Sequence, residues 1–553
     1  MALISPAERE LPKRAHHDRR LLAAPFAGRR AGLAAAALCA APVVGVLVAA
    51  LTAGAPDWDP SMVRLVRDSI FGLVGLLVVG GGAATVLGVA AAWLVTMCAF
   101  PLRRHFEWAL TAPLVMPAYV MAYAYGGLTG PLGAVPIGLS GFTGAAFVYA
   151  LAFYPYVYLS ARAGFASQSV CSLEAARALG AAPHEAFLKV ALPMARPAIA
   201  AGAALALMEI AADYGAAAYF GAETMTTGVF HAWFARGDRP LALHLASALL
   251  LAAFALLALE RRARSAGGVA GGSARWRPLP RYNLSPPAAF AALGFCVLLV
   301  TLGVVAPFGY LAWLASLRPA TDWTALAAPL GRSLVLAAGG AILTLSLAFA
   351  IARLMRASRK LGAIAALAAG AGYAAPGAVV ALGALALFAA ARDAGLVGGL
   401  TGAVAIGALM WTYAARFAAA GIGPIEAGLA RITPSIHGAA QTLGASVRER
   451  ILRLEAPLAA PGVAAAALIL FVEILRELPA TLILRPFDFD TLAIRAHVYA
   501  TDDRLAQAAA PALLIALASV GPVIALSRRI AAGRPGAAGG VPHTPPSPAT
   551  GAA

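Results

Sequence analysis

Apolar residues run in long, nearly unbroken stretches separated by short groups rich in arginine, proline and glycine. About 20 helical residues cross the roughly 30 Å hydrocarbon core of a bilayer. Stretches of that length fall near residues 31–53, 69–97, 108–127, 141–161, 197–217 and 240–259, and again near 288–314, 333–352, 362–390, 399–420, 461–483 and 506–526. The pattern predicts an all-α polytopic membrane protein built of two homologous halves, each with about six transmembrane helices. Lys13, Arg14, Arg19, Arg20, Arg29 and Arg30 precede the first stretch, which is too long for a cleaved signal sequence and reads as a retained signal anchor.

Composition agrees with that reading and removes the soluble classes. Of the 553 residues 61% are hydrophobic and 12% charged, too few polar side chains to coat water-exposed domains of this length. The net charge of +17 comes largely from arginine, whose position relative to the spans is informative. With the basic N-terminus in the cytoplasm, alternation puts Arg103-Arg104, residues 162–196, Arg261-Arg262, Arg353 to Lys360 and Arg528-Arg529 inside, as the positive-inside rule requires. The basic charge therefore points to a membrane rather than to nucleic acid. Cys39, Cys98, Cys171 and Cys296 lie far apart and suggest neither a disulfide framework nor a metal site.

The halves repeat at an offset of 264 residues. Glu174-Ala175-Ala176 is followed by Gly180, Val190 and Leu192-Pro193; Gly438-Ala439-Ala440 leads in the same register to Gly444, Leu454 and Ala456-Pro457. Pro197 then matches Pro461, Glu209 Glu473, Asp213 Glu477, Thr227 Thr491 and Asp238 Asp502. An even number of spans per half gives both repeats the same orientation. The Glu174 to Pro193 segment reads as a short helix, a hinge at Gly180 and a second helix entered through Pro183 and stopped before Pro193. It is either a docking element in a long loop or a helix lying in the membrane interface.

The spacing EAA, three residues, Gly, nine residues, hydrophobic, one residue, Leu-Pro resembles the EAA loop of membrane subunits of type I ABC importers. Both halves carry it, so the chain is similar to a fused pair of permease domains. The resemblance implies that each loop forms a coupling helix docked on an ATP-hydrolysing partner. Glu174, Ala175, Ala176 and Gly180 match it in the first copy, and Ala439, Ala440 and Gly444 in the second. Gly438 replaces the glutamate and Ala456 the leucine, so the two docking sites are expected to differ. Residues 206–221, 226–239, 477–495 and 499–509 resemble the fused iron(III) permeases in particular; permeases for thiamine and other small solutes have a similar layout. The resemblance implies two copies of an ATPase subunit, a periplasmic substrate-binding protein and a bacterial inner-membrane location. ATP would be bound by the partners and no cofactor by this chain.

None of Lys13, Lys189 and Lys360 follows a glycine, so there is no P-loop, and no metalloprotease or nucleophile-elbow motif is present. No catalytic or resident metal residue is expected. A secondary transporter, the rival class, has no reason to carry two EAA loops. Carboxylates inside spans are costly and mark function or structural pairing. Glu209 and Asp213 share a helical face, as do Glu473 and Glu477, with Arg476 adjacent. They either line or gate a translocation path, or pair with Arg476 and cap helices broken near Gly215 and Pro479. Tyr119, Tyr123, Tyr125, Tyr149, Tyr154, Tyr156 and Tyr158 read as membrane-interface anchors rather than iron ligands. The expected organisation is a basic cytoplasmic segment 1–30, a permease domain 31–260 with its EAA loop at 172–193, a cytoplasmic linker 261–287, a second permease domain 288–527 with its loop at 436–457, and a disordered tail 528–553.

Overall fold

The computed structural model describes residues 26–56, 58–130, 137–166, 187–267, 281–317, 323–399 and 401–532, with positions 133, 135 and 185 between them. The first half contains α1 (Phe26–Thr52), α2 (Pro60–Met97), α3 (Arg103–Ala109), α4 (Ala118–Thr129), α5 (Gly141–Ala166), α6 (Leu192–Ala212), α7 (Gly215–Phe220), α8 (Met225–Phe230) and α9 (Arg239–Gly267). The second contains α10 (Pro286–Val300), α11 (Ala306–Ser316), α12 (Trp323–Ala357), α13 (Arg359–Ala374), α14 (Gly377–Asp393), α15 (Gly402–Leu429), α16 (Pro434–Thr442), α17 (Ala456–Leu475), α18 (Pro479–Leu484), α19 (Leu492–Thr501) and α20 (Leu505–Ala532). Among the described residues nine helices are long and apolar enough to cross a membrane, ten if α13 and α14 count as one bent crossing. The protein is an all-α polytopic membrane protein.

Four of the expected spans are broken rather than continuous. Residues 108–127 divide into the end of α3, a 3-10 turn Ala112–Val115 and α4, and residues 362–390 divide into α13 and α14, which meet at 110°. The breaks fall at Pro117 and Pro376, whose missing N–H cannot extend a helix; each occupies the N-cap position of the helix that follows. Residues 197–217 and 461–483 break after Ala212 and Leu475. Nor does a helix stop before Pro193. The chain passes through a π-turn at Phe187–Ala191 directly into α6, and through another at Arg450–Glu455 into α17. Widening the preceding turn accommodates prolines that lack a donor. The 264-residue offset holds from α6 and α17 through α7 and α18. It becomes 266 for α9 and α20, which begin at Arg239 and Leu505, so the later pairings of the repeat slip by two residues.

The first helix of each half packs on the other half. Helix α1 lies against α12, α13 and α14, whereas α11 lies against α20 and α4. Close approach of α1 to α14 depends on Gly45 and Gly383: a Cβ at Gly45 would stand 2.8 Å from the Gly383 carbonyl, and one at Gly383 would collide with the Pro42 carbonyl. Trp411 on α15 donates to the Leu38 carbonyl at 3.0 Å, and Tyr125 on α4 donates to the Leu302 carbonyl at 2.5 Å. After α9 the chain returns at Tyr282–Asn283, which pairs in parallel with Cys98–Ala99 at the end of α2. Ion pairs fasten the same end of both halves. Glu107 takes Arg103 at 2.8 Å and Arg162 at 2.7 Å, while Glu455 takes Arg353 at 2.5 Å.

Overpacking a tight crossing costs about 1–3 kcal/mol, and more when the clash is with backbone. Gly383→Leu is therefore expected to lower the yield of monodisperse protein in detergent and its thermal midpoint. Gly407→Leu, on the same half where a Cβ meets nothing within 4 Å, is expected to leave both unchanged. Equal behaviour of the two variants would count against the crossing.

Candidate functional site: a carboxylate and arginine cavity between the halves

Each break after α6 and α17 is managed by the acid that follows it. A helix broken within hydrocarbon exposes backbone amides that water cannot satisfy. Asp213 accepts from the Ala216 amide at 2.9 Å at the start of α7, and Glu477 accepts from the Ala480 amide at 3.1 Å at the start of α18. The two contacts are equivalent under the 264-residue repeat. Tyr149 and its repeat counterpart Tyr413 take matching places: Tyr149 donates to Asp213 at 2.8 Å, and the Tyr413 hydroxyl lies 2.6 Å from that of Thr481, which donates to the Glu477 carbonyl at 2.8 Å.

The repeat fails at the cations. Arg416 on α15 binds Glu477 at 2.6 Å, and Arg476 binds Glu473, yet the first-half counterparts of the two arginines are Ala152 and Ala212. Gly377, the first residue of α14, makes room for the first pair, because a Cβ there would collide with both Arg416 Nη1 and Glu477 Oε1. Glu209 makes no hydrogen bond or ion pair among the described residues. Arg476 also crosses between the halves: its Nη1 donates to the Leu114 carbonyl at 3.2 Å, and its own carbonyl accepts from Tyr119 Oη at 3.3 Å.

These groups surround a cavity of about 90 Å³, lined by all four acids, both arginines, Tyr119 and Tyr156. A smaller space of about 20 Å³ adjoins it, with Glu209, Ala212, Glu473 and Arg416 common to the two and Tyr373 and Met208 on the far side. The structure thus brings together Glu209, Asp213, Glu473 and Glu477 from both halves, and shows pairing, helix capping and cavity lining at once. Among the described residues no three His, Cys, Asp or Glu side chains converge closely enough to hold a metal ion.

Residues 66–262 match the family of binding-protein-dependent transport system inner membrane components. The chain is 27% identical over 464 residues to the Fe(3+)-transport system permease protein FbpB 2 of Haemophilus influenzae, covering 80% of this chain and 87% of that protein. It is 26% identical to the molybdenum transport system permease protein ModB of Escherichia coli, over 30% of this chain and 72% of that one. The molybdate/tungstate transport system permease protein WtpB of Thermococcus kodakarensis is 27% identical over 36% of this chain and 78% of its own length. The chain is a type I ABC-importer permease. Such a permease is the non-enzymatic, multi-pass inner-membrane component of its transport system, and it works with an ATPase and a substrate-binding protein.

Of the permease's two EAA-type loops, Glu174, Ala175, Ala176 and Gly180 lie outside the described residues. The second loop has the expected helix, hinge and helix. Helix α16 carries Gly438, Ala439 and Ala440; Gly444 has φ of +75°, a left-handed conformation that favours glycine, and a short turn Val447–Glu449 follows. Ser446 and Glu449 form a reciprocal cap, in which the Ser446 amide and hydroxyl hold the Glu449 carboxyl below its usual range. Arg356 holds the loop's entrance by donating to the Leu429 carbonyl at 2.6 Å and the Ile432 carbonyl at 2.8 Å.

The tyrosines of the permease are not interface anchors. Tyr119, Tyr123, Tyr125, Tyr149, Tyr154 and Tyr158 are buried in the core, and Tyr156 lines the cavity. Tyr123 meets His497 Nδ1 at 2.8 Å across the halves. The expectation failed because several of the hydroxyls have protein partners, which a hydropathy pattern does not show. Arg416 escaped the sequence reading although it sits inside a predicted span, where an unmatched cation signals a buried carboxylate partner.

Removing one member of a buried ion pair costs about 3–5 kcal/mol, because the other is left charged and unpaired. Arg416→Ala is expected to lower the thermal midpoint of the purified permease strongly, and adding Glu477→Gln to recover most of that loss. A double variant as unstable as the single one would show that the pair does not support the fold.

Proposed function

We propose that this permease moves iron(III) from the periplasm to the cytoplasm. The observation that carries the reading is the end-to-end similarity to an Fe(3+)-transport permease, spanning both halves. The molybdenum and molybdate/tungstate relatives align over about a third of the chain. The cavity supports the same choice. Four carboxylates against two guanidinium groups attract a cation and repel an oxyanion. A permease for thiamine or another small solute is the alternative.

In this reading the N-terminus is cytoplasmic and two copies of the ATPase dock on the EAA loops through Glu174, Ala175, Ala176 and Gly180 on one side and Gly438, Ala439, Ala440 and Gly444 on the other. Leu443, exposed at the end of α16 beside Gly444, gives the second loop an apolar contact for that partner. Closure of the ATPases moves the loops, and α6 and α17 carry the movement from the loops toward Glu209, Asp213, Glu473 and Glu477. These acids offer the passing ion transient oxygen contacts, suited to a hard cation. ATP is bound by the partners and no cofactor by this chain.

The test is uptake into proteoliposomes holding the permease, its ATPase and its binding protein. Radioactive ferric ion is expected to accumulate with ATP and molybdate is not. Glu209→Gln keeps the shape of the side chain and removes its charge; it is expected to reduce uptake severalfold with assembly intact. ATP-driven uptake of molybdate or thiamine in place of ferric ion would overturn the substrate reading. For coupling, Glu174→Ala is expected to weaken ATPase co-purification more than Gly438→Ala, and equal effects would remove the special contact assigned to Glu174.

A further inference from the structure

The cavity contains two arginines with different reach. Arg416 binds Glu477 within the second half, and both are held against Gly377. Arg476 stands between the halves. Its guanidinium binds Glu473 and the Leu114 carbonyl, and its backbone carbonyl takes the Tyr119 hydroxyl. The Leu114 carbonyl is available because of the break before α4: the residue four positions on, Ala118, begins a new helix, and Pro117 between them has no amide to give. The counterpart of Arg476 in the other half is Ala212, which borders both the larger and the smaller space. A cavity made by two repeats is therefore bridged by one cation from one of them.

We propose that Arg476 is a tethered counter-cation: it occupies the place of the transported ion beside Glu473 and latches the two halves together, and the arriving cation displaces it. The displacement rests on the iron reading above; the latch does not. A polyvalent cation entering beside Glu209, which has no partner of its own among the described residues, competes with the guanidinium for Glu473. When Glu473 turns to the ion, the arginine loses its charged anchor, and the neutral contacts to Leu114 and Tyr119 are all that hold the break before α4 to the end of α17. Occupancy of the path and loosening of the seam are then one event. Arg476 acts here as a positioning residue.

The test places a cysteine at Ala212 in a permease freed of its four native cysteines, assembled with its ATPase in lipid nanodiscs, and follows the rate of reaction with a water-soluble maleimide. In the nucleotide-free parent the reaction is expected to be slow. Glu473→Gln, and the neutral pair Arg476→Ala with Glu473→Ala, which avoids an unpaired buried acid, are expected to react on the order of tenfold faster as the open state gains population. Arg476→Lys keeps the charge and is expected to remain slow. Variants that elute as the intact complex yet react as slowly as the parent would overturn the latch. Ferric nitrilotriacetate is expected to speed the parent, while sodium nitrilotriacetate does not. No effect of the ferric complex on a permease that does accumulate ferric ion would overturn the displacement. Failure to accumulate ferric ion overturns the substrate reading instead, and the variant rates still decide the latch.

Discussion

A polypeptide that interrupts its helices inside a bilayer must supply its own partners for the amides it exposes. Here that requirement is met by a carboxylate placed just beyond each interrupted helix, Asp213 for α7 and Glu477 for α18. Once an acid is committed to that position, the surroundings are constrained in turn. A tyrosine or an arginine must share its charge, a glycine must stand where the arginine arrives, and the space between the two breaks becomes polar. The cavity follows from the way the helices end. The same groups that complete the backbone also form the one part of the seam suited to an ion.

The two halves meet this requirement with different chemistry. In the first, a neutral hydroxyl from Tyr149 and two backbone amides attend Asp213, and Glu209 is left open to the cavity. In the second, Arg416 and Arg476 neutralise both acids. A pseudo-twofold backbone thus carries a one-sided charge distribution, negative where the first half faces the cavity and balanced where the second does. The loops are asymmetric too, with Glu174 opposed to Gly438. Neither half could replace the other by rotation about the axis relating them.

Much of this was legible in the residues. Long apolar runs gave the all-α membrane class, and the repeat offset aligned Glu209 with Glu473 and Asp213 with Glu477, so a meeting of the four acids across the seam was foreseeable. The breaks were harder, because hydropathy is blind to direction: the run containing Pro376 stays apolar while the chain turns through 110°. Proline in mid-run at Pro117 and Pro376 was the available signal. Arg416 was hidden by the repeat itself, since its counterpart Ala152 gives no hint of charge. The burial of the tyrosines was not legible at all, because whether a phenol faces lipid headgroups or a partner such as Asp213 or His497 depends on contacts hundreds of residues apart along the chain.

The exchange of first helices changes what counts as a moving body. Helix α1 belongs by sequence to the first half and by packing to the second, where Gly45 and Gly383 bring it against α14, and α11 makes the reverse crossing to α4. A rocking motion that separated the halves as the sequence divides them would tear both crossings apart. The units able to move as wholes are composite, each half without its own first helix and with its neighbour's. The flexing points then lie where the chain crosses over, between α1 and α2 near Gly54 and between α11 and α12, well away from the cavity whose walls they allow to part.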